Sequence, residues 1–389
     1  MDVIITSNSP GELSAWVAPF VACLRQRHPD WHIYLALVPC PFATGREAEY
    51  ARRIEGLAAI WTPWQTLKIL LGGRLPVPRA ERGLVVYLGG EAWHAWGLSR
   101  RWRYPWAAYA VRDNWLWRKC SRVASQRLDL ALKLEAAGVC AAHVGFIGWP
   151  APQRQGESSE DLCIGIFPGS RMLMLRYTLG PFLELIRLLK LRLPQARFIL
   201  AVSPFVSRQD VEGILRRPGR CGLAYRTGAL CGNTLQIESG PEVEVCWGEP
   251  RRAIEQIDAA ISVPGTNTGE IAAAGRALIV GLSCNIPVPS GGLGWLLERI
   301  GISRWLRSWH MRRYKRERFA SLPNRWAGEM IAPEIIADDD LTDLANRVAE
   351  LFADPLKRDE LGRRLALTMG DPGEAVRRLT GFIADDRQN

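Results

Sequence analysis

Four short stretches carry the residue types that can do chemistry, and each follows an apolar, β-like run. In "SNSPGELSAW", Ser7 to Trp16, Gly11 lets backbone approach a ligand, a helix start offers N–H groups, and Glu12 brings a carboxylate. The same residues also read as a helix cap, with Ser9 capping, Pro10 in the first turn and Glu12 favouring the dipole; the two uses are compatible. In "GGEAWHAW", His94 stands three residues after Glu91, the spacing of a base oriented by an acid, although a lone histidine serves equally as a packed structural side chain. In "IFPGSRM", Gly169 makes a tight turn that projects Ser170 and Arg171. A guanidinium fork suits a diphosphate, and an arginine at a helix start works against the dipole unless it has another task. In "SVPGTNTGE", Gly265 gives the turn, Thr266, Asn267 and Thr268 can cap a helix or donate to phosphate, and Glu270 follows. That carboxylate can accept from a ribose diol, or simply complement a helix dipole from the first turn.

The elements that must position these groups are runs of β-type residues: Val3–Ser7, Ile33–Val38, Leu84–Leu88, Ala107–Val111, Val144–Ile147, Leu162–Phe167, Phe198–Val202, Ala259–Val263 and Leu278–Gly281. They are apolar throughout rather than alternating, as expected of parallel strands buried on both faces. Helical patterns intervene at Leu13–Arg25, Leu175–Lys190 and Thr268–Gly275. This order predicts doubly wound α/β sheets, whose ligands bind beyond the carboxyl ends of the strands. The Pro-, Gln- and Ser-rich stretch from Trp149 to Asp161 reads as a linker, so two domains are expected, residues 1–155 and 156–389, leaving a cleft.

At 389 residues the chain can build two cores, and its 48% hydrophobic and 23% charged content is that of a globular protein. A net charge of +10 implies an anionic partner without choosing among phosphates, acidic lipid and nucleic acid. Nine scattered cysteines with no CxxC or Cys/His cluster fit a reducing compartment and indicate no zinc site. The first residues lack the pattern of a secretory signal, and no apolar run nears the ~20 residues of a spanning helix, so a soluble or membrane-surface protein is expected. Several of the sixteen tryptophans adjoin arginine, as at Trp102-Arg103, Trp117-Arg118 and Trp305 to Arg307, a pairing that suits the headgroup level of a bilayer or stacking at a protein surface. Arg304–Phe319 interleaves cations with aromatics and reads as a polybasic face for anionic lipid, while Trp61–Arg79 is apolar with sparse cations and suits the interface. No nucleic-acid motif accompanies the charge, which favours a membrane over nucleic acid. "DDD" at Asp338–Asp340 reads as helix capping.

Taken together the junctions resemble the lipid-A-disaccharide synthase family, inverting glycosyltransferases of the GT-B fold. The resemblance covers most of the chain. It rests on "PGSR" at Pro168–Arg171, on the segment ending in "SVPGTNTGE", on "SLPNRWAGEMIAPEII" from Ser321 to Ile336, and on "WLWRK" from Trp115 to Lys119. It implies two Rossmann-like domains facing a cleft: an N-terminal acceptor domain and a C-terminal UDP-sugar domain whose last helix can pack back on the first. It further implies that Ser170 and Arg171 meet diphosphate, Glu270 meets ribose and Asn324 helps to form the nucleotide site. The implied reaction moves a diacylated glucosamine from UDP to an acylated glucosamine phosphate at the cytoplasmic face of the inner membrane. The UDP-sugar is then a substrate, with no separate cofactor and no metal, and the resemblance admits a homodimer.

The first half departs from the family pattern. The family's G-E-A-S-G-D is "SNSPGEL" here, and its D-A-P-D-F-N aligns with "EAWHAW", so Glu91 and His94 stand where the family has two acids. Its G-H-P is Gly148-Trp149-Pro150, and no acid follows "PGSR". His94, with Glu91 or Glu12 beside it, is the base candidate. Two other readings stay open: a different UDP-sugar enzyme of this fold, such as an epimerase, and a membrane-bound relative without activity.

Overall fold

Runs of Val, Ile and Leu too apolar to face water on either side fold into two separate sheets, one in each of two units. The computed structural model describes residues 1–39, 45–152, 161–219, 221–282, 319–337 and 340–384. One unit is Met1–Pro150 with a second piece beginning at Asp371; the other is Ala151–Gly370.

The first unit holds β1 (Asp2–Ser7), β2 (His32–Leu37), β3 (Leu57–Trp61), β4 (Gly83–Tyr87), β5 (Trp106–Ala110), β6 (Arg122–Ser125) and β7 (Ala141–His143). They form one parallel sheet in the order β3-β2-β1-β4-β5-β6-β7. The expected strand at Val144–Ile147 is instead the turn after β7, because Gly145 sits at φ +96 and the chain bends until Ile147 N–H donates to the Tyr109 hydroxyl at 3.2 Å. Trp61 stacks between Tyr34 and Trp102 at 5.6 and 5.1 Å, and Trp106 and Trp117 join the same core. Trp102 and Trp117 are thus buried core rings rather than surface partners of their neighbouring arginines, whereas Trp305 lies outside the described residues.

The C-terminal helix Pro372–Ala384 belongs to this unit and packs on the helix Ala18–Arg27. Arg122 donates to the Phe382 carbonyl at 2.7 Å and Gly148 N–H to the Pro372 carbonyl at 3.2 Å. Gly373 has no side chain because Pro150 lies where a Cβ would stand.

The second unit holds β8 (Cys163–Phe167), β9 (Arg197–Val202), β10 (Gly228–Cys231), β11 (Thr234–Ile237), β12 (Glu242–Trp247), β13 (Ala259–Ser262), β14 (Ala277–Leu282) and β15 (Glu334–Ile336). Their order is β10-β11-β12-β9-β8-β13-β14-β15, parallel except for the antiparallel edge β10-β11-β12. The long helix Met172–Arg192 crosses from β8 to β9 and carries Pro181 in its interior. That proline cannot donate to the Tyr177 carbonyl four residues back, and Cys221 Sγ approaches this carbonyl at 3.6 Å instead.

Candidate functional site

In the first unit the chain leaves β1 toward β2 on one side and reaches β4 on the other, so the strand order reverses between β1 and β4. Open α/β sheets bind ligands in the crevice outside the strand ends at such a point. The two loops there are the two chosen from sequence, one starting at Asn8 and the other at Leu88. Ser9 and Glu12 form a reciprocal cap: Glu12 N–H donates to Ser9 Oγ and Ser9 N–H to Glu12 Oε2, both at 3.4 Å. Ser7 Oγ donates to the same oxygen at 3.4 Å. Burial pushes the Glu12 carboxyl upward from its ordinary value against these donors. Gly89 leaves room for the Glu12 carboxylate, which a Cβ there would displace from its cap. Gly11 lies in the first turn of the helix that this cap opens, Pro10–Glu12.

Glu91 precedes the helix Ala92–Trp102, with its side chain exposed. His94 is 3% exposed, and its Nδ1 lies 3.1 Å from the Glu91 carbonyl. A carbonyl only accepts, so Nδ1 carries the hydrogen and Nε2 the lone pair. The Glu91 backbone, rather than its carboxylate, therefore orients this ring. Burial lowers the imidazole's pKa below 6.5, which keeps it neutral and basic near pH 7.

Three features here were not read from the sequence. Tyr87 ends β4, donates to the Gly90 carbonyl at 2.8 Å and packs on Trp117 of "WLWRK" at 5.3 Å. Burial and the charges of Glu12 and Glu91 raise its phenol, so both carboxylates bear on one place. Its signal was its position, the last strand residue before Leu-Gly-Gly. The second feature is a π turn over Leu13–Val17, directly after the Glu12 cap; such turns recur at functional sites, and nothing in residue type marks this one. The third is Gln126, which follows β6, is 2% exposed and sets its side chain against the buried Tyr109 hydroxyl.

In the second unit the order reverses between β8 and β13. Phe167 and Ser262 are register partners, and Val263 N–H donates to the Phe167 carbonyl at 3.1 Å. The turns at Gly169–Arg171 and Gly265–Thr268 therefore lie side by side. Gly169 adopts φ +108, and a Cβ there would press on Val263 at 3.2 Å. Arg171 precedes the helix Met172–Arg192 and Gly265 the helix Thr266–Ala273. Neither helix has a side-chain cap or an acid in its first turn. Thr62, Ser207 and Asp354 cap their helices with side chains, whereas the helices starting at Ala92, Pro250 and Leu322 share the lack of both devices, so it is the adjacency of these two starts that sets them apart. Ser170 and Arg171 stand at the first of these adjacent helix starts and Thr266 and Asn267 at the second, and helix N-termini of this kind favour anions.

Glu270 lies two residues further in than expected, past the first turn, because the helix begins at Thr266 rather than Thr268. The dipole reading depended on the first turn and loses its basis. The residue is half-buried, and desolvation of its carboxyl pushes it up to about 7, with Arg251 pulling the other way. Thr268 is fully buried; its hydroxyl donates to the Gly265 carbonyl at 2.7 Å and accepts from Leu322 N–H at 3.2 Å. This ties the turn to the "SLPN" segment. Asn324 is also fully buried: Nδ2 donates to the Ala332 carbonyl and Glu334, and Oδ1 accepts from Ile331 and Ala332 N–H, at 2.7–2.9 Å. Glu334 also binds Ala320 N–H and both Ser321 N–H and Oγ. With Gly328 ending the short helix Leu322–Ala327 at φ +75, the motif is a scaffold whose polar side chains hold one another. Of "DDD", only Asp340 is described; it accepts from Thr342 N–H at 2.9 Å before the helix Thr342–Ala353. Of Arg304–Phe319, only Phe319 lies within the described residues.

These two sheets, each with candidate groups at its point of strand reversal, define a two-domain α/β protein of the GT-B fold. Solved structures of similar fold include MurG of Acinetobacter baumannii, with 14% identity over 98% of this chain and 99% of that one and a TM-score of 0.52. They also include the calicheamicin glycosyltransferase CalG4 (12% identity, 99% of each chain, TM-score 0.53). A UDP-GlcNAc 2-epimerase from Neisseria meningitidis bound to UDP-GlcNAc is similar as well (11% identity, 99% and 100% of the chains, TM-score 0.50). Among curated sequences the chain is similar to the lipid-A-disaccharide synthase of Methylobacillus flagellatus, at 23% identity over 64% of this chain and 62% of that one. It is also similar to that of Anaeromyxobacter sp. strain K, at 25% identity over 70% and 67%. The matched region thus spans somewhat under two thirds of the first relative's length. No protein-family model matches the chain.

Proposed function

We propose that the protein is a UDP-sugar-dependent glycosyltransferase of the lipid-A-disaccharide synthase type. It moves an acylated glucosamine from UDP to an acylated glucosamine 1-phosphate, or a related lipid acceptor, at a membrane surface. The observation that carries this reading is the pair of uncapped helix starts beside Arg171 at the β8/β13 reversal, with Glu270 one turn inside the second helix. The relatives' name and the GT-B fold support the UDP-sugar donor.

In the proposed mechanism His94 Nε2 takes the proton of the acceptor hydroxyl. That oxygen attacks the anomeric carbon with inversion as the bond to UDP breaks. The charge developing on the diphosphate is met by Arg171 and the helix N–H groups, with no metal invoked.

The first unit supports membrane-surface action. Trp64 and Trp115 are 62% and 68% exposed, with Leu71 and Trp93 exposed nearby in the chain. The helices Pro63–Leu70 and Ala92–Trp102 and the turn Trp115–Lys119 are neighbours. Lys68 lies over Trp64 at 5.3 Å, and Lys119 over Trp96 and Trp115 at 4.8 and 4.9 Å. Indole and ammonium groups in this mixture suit a headgroup layer. No helix of the described residues is long and apolar enough to cross a membrane.

The test is incubation of the protein with UDP-2,3-diacylglucosamine and diacylglucosamine 1-phosphate on anionic vesicles. Disaccharide and UDP in equal amounts are expected. UDP release that requires another acylated sugar in place of diacylglucosamine 1-phosphate would keep the transferase reading and trace the changed acceptor to the rewritten loops at "SNSPGEL" and "EAWHAW". Conversion of UDP-GlcNAc to its C2 epimer without any acceptor would overturn the transferase reading, and so would failure to bind UDP.

A further inference from the structure

In the first unit the exposed tryptophan surface and the candidate base meet at one residue, Trp93. It stands in the first turn of the helix Ala92–Trp102 and is 48% exposed. Its ring lies on that of His94, with centroids 3.7 Å apart and planes at 28°. Gly97 follows one turn later on the same face, and a Cβ there would meet Leu70 Cδ2 at 2.7 Å. The helix Pro63–Leu70, which carries the exposed Trp64 and its neighbour Lys68, therefore packs directly on this face. One side of the indole belongs to the surface that suits a headgroup layer, and the other covers a buried imidazole.

His94 has one directional tie, from Nδ1 to the Glu91 carbonyl. A single hydrogen bond fixes an atom and leaves the ring free to turn about it, whereas a stacked neighbour fixes the plane. The two together aim Nε2. We infer, on the basis of the membrane-surface reading above, that Trp93 is a positioning residue for His94 and makes the orientation of that ring depend on contact with an anionic bilayer. In water an indole nearly half exposed has little beyond the stack to hold it. In a headgroup layer, which indoles favour, its outer edge is anchored as well and the stack persists. The family's D-A-P-D-F-N has proline where Trp93 stands, so the contact is this chain's own.

The experiment follows exchange of each histidine's Cε1 hydrogen for deuterium across pH, read by peptide mass spectrometry on the full chain. It is run with and without vesicles of phosphatidylglycerol and phosphatidylcholine. It uses no substrate, so its result is separate from that of the transferase assay. Vesicles should slow exchange at His94 of the parent by about two- to tenfold at the high-pH plateau, the range that one aromatic stack spans. Without vesicles, Trp93→Ala should exchange faster there by about two- to tenfold, with its midpoint moved upward as water reaches the ring, and vesicles should no longer slow it. Trp93→Phe should restore both behaviours. Glu91 is the charge that acts on His94, and the elements packed on its helix bring Lys68, Arg118, Lys119 and, where β1 and β4 end, Glu12 and Tyr87. All of these are common to parent and variants, so a moved midpoint reports the indole. Unchanged exchange at His94 in Trp93→Ala overturns the positioning role. Vesicle binding by the parent, seen by co-sedimentation, without slower exchange at His94 overturns the coupling and leaves the membrane-surface reading standing. Failure to bind vesicles overturns both. Should Trp93→Ala not fold, Trp93→Leu removes the planar ring while staying apolar, and retained slowing on vesicles in that variant overturns the coupling.

Discussion

Glu270 offers the sharpest test, because its placement predicts opposite effects on stability and on binding. Its carboxyl sits at about 7 against 4.5 for an exposed glutamate, through burial. Between those values the folded state holds the proton and the unfolded state does not, so stability declines as pH rises through the window. The linkage relation gives a cost of about 1 kcal/mol at pH 5 and about 3 kcal/mol at pH 8. Glu270→Gln has no such titration. Denaturant unfolding of parent and variant at both pH values isolates the residue, since every other group cancels in the difference. The variant should gain about 2 kcal/mol relative to the parent on going from pH 5 to pH 8. UDP-GlcNAc is the fitting ligand for the binding arm, because its diphosphate diester keeps its charge across this range. If the ionised carboxylate receives the ribose hydroxyls, parent affinity falls about tenfold from pH 8 to pH 6, and the variant binds weakly at both. A stability difference that is the same at pH 5 and pH 8 would refute the burial argument. Unchanged UDP-GlcNAc affinity in Glu270→Gln would remove Glu270 from the nucleotide site.

Other expectations follow from the same geometry. Arg171→Ala should weaken UDP-GlcNAc about ten- to a hundredfold, through loss of a charge-assisted hydrogen bond to the diphosphate, read by titration of the folded variant. His94→Ala should leave UDP affinity intact and reduce turnover about 10²- to 10⁴-fold. Because burial lowers the pKa of His94, the acid limb of the parent's pH–rate profile should have its midpoint below 6.5. Asn324→Ala strands the N–H groups of Ile331 and Ala332, and should cost about 2–4 kcal/mol of stability, read as a lower denaturant midpoint.

What the sequence revealed depended on whether a residue's role was local. The sheets were legible because "VIITS" and "CIGIF" are too apolar for anything but a buried strand. The edge β10-β11-β12 was not, because "TLQI" and "EVEV" alternate, with every second side chain facing water. "RVAS" in β6 is too short and too mixed to stand out, although it is interior to its sheet. The two point-of-reversal loops of each unit could be chosen from glycines and polar residues after strands, but only strand order shows that each pair adjoins. Asn324 shows the converse: the motif was visible, yet its job depends on Glu334 and on backbone N–H groups seven and eight residues further on. Tyr87 and the π turn are defined by their surroundings alone.

The return of Pro372–Ala384 to the first unit has a consequence for how the chain is made. Residues 1–150 leave the ribosome early, but the helix that covers Ala18–Arg27 and receives Arg122 follows only after the whole second unit. At ordinary translation speeds those roughly 220 intervening residues take about 10–45 s. Throughout that interval the nascent first unit exposes an uncovered helix flank, so synthesis imposes a waiting period in which a chaperone has a defined surface to hold.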